Sequence, residues 1–322
     1  MNLFERAYLF FYKRKKQKAL ESQKKLPFPV ISVGNLTVGG TGKTPFTIAL
    51  AKELKKRGYI PIILTRGYRG SLKGPVIVND KFKAEEVGDE ALMMAMEGLT
   101  VVKCADRYKG GIYAIENLSL SDKENAVFIL DDGFQHWSLY RDLNILLFDG
   151  FKDIHNLRLL PFGTLRSPLS EIYDAQMIFI TKKENENIYQ YLKNSGIKEV
   201  YFAPFKFEGI ISIDGKKIEP KGQKVFAFAG IANFQSFLHF LSSLGLKVIG
   251  YKKFIDHKRY TERTLRKVLK LADEAELIIT TKKDIVKIMS LDLSEKRLFF
   301  LEISMKITDQ AVDKIQKLTH NW

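Results

Sequence analysis

Short apolar, β-branched runs recur along the chain, separated by stretches with helical periodicity. Runs at 29–33, 60–65, 75–78, 100–105, 126–130, 143–148 and 177–181 read as strands. Between them, 43–58 has helical spacing, and Gly88, Asp89 and Glu90 open a second amphipathic segment with Ala91, Leu92, Met94 and Ala95. Asp106 and Arg107 open a third. Strands alternating with helices at this interval predict an α/β fold, a doubly wound, mostly parallel α/β/α sheet with its ligand at the strand C-termini.

The pattern changes near residue 198. Two adjacent strands, 200–205 and 209–213, precede a turn at Asp214-Gly215. A new series then begins: strand 224–229, helix 233–244, strand 247–251, helix 261–274, strands 276–280 and 297–303, and a last helix. The expected organisation is an N-terminal helix (1–28), a main domain (29–197), a two-stranded β linker (198–219) and a second, smaller α/β/α domain (220–322). Residues 178–184 (IFITKKE) and 278–284 (IITTKKD) are similar, but one match does not make a repeat.

The most informative stretch is 29–57, where strand 29–33 runs into Gly34, Gly39, Gly40 and Gly42, and Lys43-Thr44 opens a helix. Strand, glycine-rich loop, Gly-Lys-Thr and helix make a P-loop. Backbone N–H groups wrap a phosphate where no Cβ obstructs them, the helix N-terminus adds positive character, and a lysine supplies a cation. Thr37, Val38, Gly39, Gly40, Thr41, Gly42, Lys43 and Thr44 are therefore the nucleotide-phosphate candidates, with the Thr44 hydroxyl placed for Mg²⁺. Thr37 stands where the usual spacing asks for the first glycine. Strand 126–130 ends in Asp131-Asp132, an apolar strand with acids at its tip, which is the form of a Walker B metal site. Asp89 and Glu90, taken alone, read as helix-start acids favoured by the dipole. His257, between a strand and a helix, reads either as a surface residue or as a cleft residue.

Composition then narrows the partners. The 322 residues carry 52 Lys+Arg against 37 Asp+Glu, a net +15. That excess suits an anionic partner (nucleic acid, a phosphorylated substrate or an anionic membrane), or reflects a lysine-rich background. One cysteine excludes a disulfide framework and a thiolate zinc cluster, and the scattered histidines lack metal-ligand spacing. No apolar run spans a bilayer. At the N-terminus, Leu3, Phe4, Ala7, Tyr8 and Phe11 share a helical face, with Phe10 close by, and Lys13, Arg14, Lys15, Lys16 and Lys18 follow. Such a helix either lies in a membrane interface or packs on its own domain.

Taken together, GNLTVGGTGKTP (34–45), GDE (88–90), DRYKGG (106–111), DDGFQH (131–136) with LxRDLNILL, LRxPL (165–169), DHxxY (256–260) and TxKD (281–284) resemble the tetraacyldisaccharide 4′-kinase family across nearly the whole chain. In that family too the first Walker glycine is missing. The resemblance implies ATP- and Mg²⁺-dependent phosphorylation of the 4′-hydroxyl of a tetraacylated disaccharide 1-phosphate, giving lipid IVA, at the cytoplasmic face of the bacterial inner membrane. It implies two α/β/α domains with the cleft between them. By position it makes Lys43 the β/γ-phosphate ligand, Thr44, Asp131 and Asp132 the metal-proximal groups, and Asp89 with His257 a base dyad beside Glu90. Arg107, Gln135 and His136 are supporting or substrate residues. It also turns the basic N-terminal helix into a dock for an anionic membrane carrying the phosphorylated glycolipid. Neither nucleic acid nor an obligate protein partner is implied. The chain departs at Ser167, where the family usually has Glu near the metal or nucleotide; Glu171 is close in sequence. Ile255 replaces a common proline.

Two readings compete. A P-loop NTPase switch or nucleic-acid-associated ATPase would use the charge for nucleic acid. A binding module would keep the loop without turnover. The switch reading leaves Asp89 and His257 without a role.

Overall fold

The structure, a computed structural model, describes residues 3–120, 124–154, 157–289, 291 and 295–319. Met1, Asn2 and the side chain of Leu3, part of the expected N-terminal face, lie outside the described residues. The chain opens with α1 (Leu3–Glu21), β1 (Val30–Gly34), α2 (Lys43–Lys56), β2 (Ile60–Thr65) and β3 (Val76–Val78). Next come α3 (Ala84–Val87), α4 (Asp89–Met96), β4 (Thr100–Lys103), α5 (Arg107–Asn117), β5 (Ala126–Asp131) and β6 (Leu143–Asp149). A 3₁₀ turn (Leu169–Asp174), β7 (Met177–Lys182) and α6 (Glu186–Asn194) close the first half. The second half holds β8 (Val200–Ser212), β9 (Lys217–Ile218), β10 (Lys224–Ala229), α7 (Phe234–Ser243) and β11 (Lys247–Lys253). It ends with α8 (Glu262–Leu271), β12 (Leu277–Thr281), α9 (Lys282–Ile288), β13 (Leu298–Met305) and α10 (Asp309–Thr319).

One path of strands runs β11-β10-β12-β13-β8-β7-β6-β1-β5-β2-β4-β3, with β9 beside β8. Among the described strands, only the β3–β4, β8–β13 and β8–β9 pairs are antiparallel. The expected mostly parallel α/β fold is present. The central strands β1, β5 and β6 are buried at every position, as their predominantly apolar sequences require when helices cover both faces. Phe46 and Leu50 of α2 pack with Ile31, Val33 and Ile129 on one face, while Leu26, Leu64 and Phe128 share a core with Ala114 of α5 on the other.

The junction differs from its reading in sequence. Residues 200–205 and 209–213 form one strand, β8, whose start pairs with β7 and whose end pairs with β13. Lys206 and Glu208 break the apolar pattern, yet pairing with β13 continues on both sides of Glu208, which is passed over where the register shifts at Glu302/Ile303. The partner strand of β8 at the junction is thus β13, not 209–213. Past β13 the chain returns to the first half: Ile307, Ala311, Val312 and Ile315 join the core of Phe46 and Leu50. Helix α9 has no counterpart in the sequence reading, being too short to show a period, although Thr281 caps it by accepting from the Asp284 N–H.

Candidate active site

Helix α4 packs on α9, and the two halves share a cleft of about 2450 Å³. Its walls include Val38 to Thr44, Glu90, Arg107, Asp131, Asp132, Gln135, His136, His257 and Lys283.

The loop between β1 and α2 has the geometry for phosphate. Gly42 takes φ 84° immediately before Lys43, and no side chain caps the helix, so its first N–H groups stay available. Gly34 is required by proximity, since a Cβ there would lie 2.5 Å from Phe134 Cβ. Thr37 forms an antiparallel bridge with Leu165, and Val38 N–H donates to Thr164 at 2.7 Å. Backbone held this way is extended, which explains why no glycine is needed at 37. Thr41 Oγ1 and Arg107 Nε have no hydrogen-bond partner among the described residues although both are buried, as polar atoms awaiting a ligand would be. Lys43 Nζ makes two long contacts, 3.3 Å to Asn35 Oδ1 and 3.6 Å to Asp132 Oδ1, and is free to shift.

The two acids at the tip of β5 are in different electrostatic states. Asp132, in a left-handed turn at φ 54°, accepts from Arg166 Nη1 at 3.1 Å. Burial opposes its charge, but Lys43 and Arg166 together bring its carboxyl down to about 2. Among the described residues Asp131 accepts from Thr47 at 3.3 Å and Thr65 at 3.5 Å. Burial, reinforced by Glu90 and Asp132, pushes it up to about 7. Among the described residues no group of three or more His, Cys, Asp or Glu could hold a metal ion alone. Thr44, Asp131 and Asp132 form a hard-oxygen set that fits Mg²⁺ once phosphate oxygens complete the shell. Asp131 in particular carries a buried carboxyl with too little positive charge against it.

A mutation follows from that imbalance. A carboxyl whose folded pKa lies above its unfolded value favours the protonated form, so raising the pH from about 4 to about 7 removes stability. Asp131→Asn is expected to melt above the parent at pH 7 without metal, with the gain vanishing toward pH 4. A lower melting temperature at pH 7 would contradict this.

The second cluster lies at the α4–α9 contact. Gly88, at φ 96°, turns the chain so that Asp89 starts α4. His257, at φ 59°, aims Nδ1 at Asp89, 2.9 Å from Oδ2 and 3.1 Å from Oδ1. Asp89 is buried behind the ring, while His257 lies on the cleft wall with the Tyr68 ring edge-to-face at 5.2 Å. Burial works against the Asp89 charge, yet the His257 bond and the Lys283 and Lys287 ammonium groups hold its carboxyl below the usual range. Glu90 reaches Lys283 Nζ at 3.2 Å.

The supporting residues divide. Arg107 is buried near Asp131 and Asp132 and donates to the Ala105 carbonyl at 2.8 Å. Gln135 spends its amide N–H groups on the Asn35 carbonyl (2.7 Å) and Ser167 Oγ (2.8 Å), bracing the loop. Burial, with Arg107 and Arg141 nearby, lowers His136 to about 4 and keeps it neutral. Ser167 is fully buried against Gln135, and Glu171 pairs with Lys16 at 2.8 Å, away from the cleft walls. Glu171 therefore does not replace the missing acid.

Residues passed over in sequence also matter. Thr181 donates to the Thr41 carbonyl at 2.6 Å, and Lys182 bonds the Gly40 carbonyl and Asp149 (2.7 Å). Both come from IFITKKE, whose lysines follow a strand tip on the loop's edge of the sheet; that position was the available signal.

Comparison with known proteins identifies the family. Residues 2–320 match the family described as tetraacyldisaccharide-1-P 4′-kinase. The chain belongs to this kinase family. Curated tetraacyldisaccharide 4′-kinases from Aquifex aeolicus and Desulfotalea psychrophila are both 39% identical to it, over 92% and 85% of this chain and 89% and 82% of theirs. A solved structure of LpxK from Aquifex aeolicus in complex with ATP is 36% identical, with a TM-score of 0.76, covering 99% of this chain and 96% of that one. The switch and binding-module readings give way to a phosphotransferase with an alcohol acceptor.

Proposed function

We propose that the chain binds ATP at its 37–44 loop and transfers the γ-phosphate to the 4′-hydroxyl of a tetraacyldisaccharide 1-phosphate. The observation that carries this is the 2.9 Å contact of Asp89 with His257 on the cleft into which the loop opens. The loop N–H groups and the α2 N-terminus hold the phosphates, and Lys43 moves from its long contacts onto the β/γ oxygens. Mg²⁺ held by Thr44, Asp131 and Asp132 would offset phosphate charge. His257 Nε2 takes the hydroxyl proton as the sugar oxygen bonds to the γ-phosphorus and the bond to the ADP oxygen breaks. Asp89 stabilises the imidazolium. A base so placed contributes about 10²–10⁴-fold.

Division of the chain into two lobes about the β8–β13 link supports closure around the acceptor, which would limit ATP hydrolysis in its absence. ADP formation in detergent is expected to depend on added disaccharide 1-phosphate. Equal ADP release with and without it would contradict the reading.

The location proposed is the cytoplasmic face of an anionic inner membrane. Among the described residues no helix is long and apolar enough to cross a membrane. Helix α1 uses two faces. Tyr12 packs on Trp137 at 5.2 Å, Tyr8 donates to the Arg166 carbonyl at 2.8 Å, and Lys16 is taken by Glu171. Phe4, Phe10 and Phe11 stay exposed at 59–68%, as do Lys13, Arg14, Lys15 and Lys18. Exposed aromatics beside lysines suit an anionic interface. Changing Phe4, Phe10 and Phe11 to Ser is expected to weaken binding to phosphatidylglycerol vesicles without lowering the melting temperature. Unchanged binding would refute the dock.

A further inference from the structure

The TxKD stretch has so far been given no chemistry. Asp284 is fully buried, accepting from Gly230 N–H at 2.9 Å and Thr281 Oγ1 at 2.8 Å, and it pairs with Lys287 at 2.7 Å. With Thr281 capping α9, these bonds fix the first turn of the helix. Lys283, on that turn, points its ammonium at His257 Nε2, 3.2 Å away. Lys283 Nζ also donates to Glu90 at 3.2 Å and to Asp256 at 3.4 Å.

The donor inventory decides what this contact is. A lysine ammonium donates three hydrogen bonds and accepts none, and an ionised carboxylate only accepts. Nε2 must therefore be the lone-pair nitrogen and Nδ1 must carry the proton given to Asp89. Burial disfavours the Lys283 charge, but Glu90, Asp89 and Asp256 hold its pKa above the usual lysine range, so the ammonium persists.

We propose that Lys283 is a positioning residue of the transfer reaction: it selects the Nδ1–H tautomer of His257 and holds the Nε2 lone pair until the acceptor hydroxyl displaces it. This rests on the kinase reading above and adds a group to its acceptor side. The exchange is feasible because Lys283 keeps Glu90 and Asp256 when it releases Nε2. Charged groups surround the ring. Asp89 and Glu90 of α4 and the neighbouring Asp256 face Lys283 and Lys287 of α9, Asp284 pairs with Lys287, the guanidinium of the exposed Arg69 donates to the His257 carbonyl, and the Tyr68 ring lies edge-to-face with the imidazole.

The test combines nitrogen-15 NMR of the histidines with kinetics on Lys283→Met and Lys283→Arg. In the ligand-free parent at neutral pH, His257 is expected to show a protonated Nδ1 and a bare Nε2, a readout independent of turnover. In Lys283→Met the tautomers should mix and kcat should fall by about 10–100-fold, as when outer partners of ligating histidines are removed. Its KM for ATP should hold. Loss of the neighbouring cation lets the imidazole keep its proton, so the acid limb of the kcat profile should move to higher pH, and Lys283→Arg should restore part of both. A proton on Nε2 in the parent, or an unmoved acid limb in Lys283→Met, would overturn the proposal. If instead the parent itself transferred no phosphate, the kinase reading would fail while the NMR result still judged the tautomer.

Discussion

His257→Ala and Asp89→Asn are each expected to lower phosphoryl transfer by about 10²–10⁴-fold while ATP binding survives. The reason is positional. His257 and Asp89 meet at 2.9 Å on the acceptor side, and among the described residues neither is a hydrogen-bond partner of the 37–44 loop. The two losses should not add, because the groups act as one unit: the carboxylate orients the ring and offsets its charge, and the ring takes the proton. The double variant should therefore fall close to the worse single one. Titration of ATP by fluorescence, paired with turnover in detergent, separates the effects. Parent-like turnover in both single variants would remove the dyad from the mechanism.

The second large effect is expected at Lys43. Its contacts in the folded chain are long, and a half-buried ion pair of that kind is worth about 1 kcal/mol or less. Lys43→Ala should thus cost little stability. Loss of a fixed charge on a transferring phosphoryl group costs about 10²–10³-fold in kcat, with weaker ATP binding besides. Asp132 would lose the largest influence lowering its carboxyl, leaving Arg166 as its main counter-charge. Near-normal kcat in a stably folded Lys43→Ala variant would contradict the phosphate role.

How far the site was legible depended on the distance between its parts. The 34–44 loop is contiguous: strand, glycines, lysine and helix all lie within one short stretch, and local rules were enough. The apolar strands likewise declared a parallel sheet, because strands covered on both faces need no polar alternation. Asp89 and His257 lie 168 residues apart, and only family resemblance joined them. What joins them physically is the packing of α4 on α9, and α9 is too brief to announce itself. Lys283 went unread for the same reason.

Helix α1 was harder for another reason. Both of its faces carry aromatic residues, so periodicity could not say which face is inward. The phenol hydroxyl helps in retrospect: Tyr8 turns inward to a carbonyl acceptor, while the phenylalanines, with no polar tip, remain outside. The junction was misread because Lys206 and Glu208 interrupt an apolar pattern that backbone pairing carries through.

The most direct test of the central claim is the fate of the ATP γ-phosphate. The purified chain should be incubated with γ-labelled ATP, Mg²⁺ and tetraacyldisaccharide 1-phosphate in detergent, and the lipid product examined by phosphorus NMR. One new phosphomonoester at the 4′ position, absent with His257→Ala, is the predicted result. Label released only as inorganic phosphate, or attached at any other position, would contradict it.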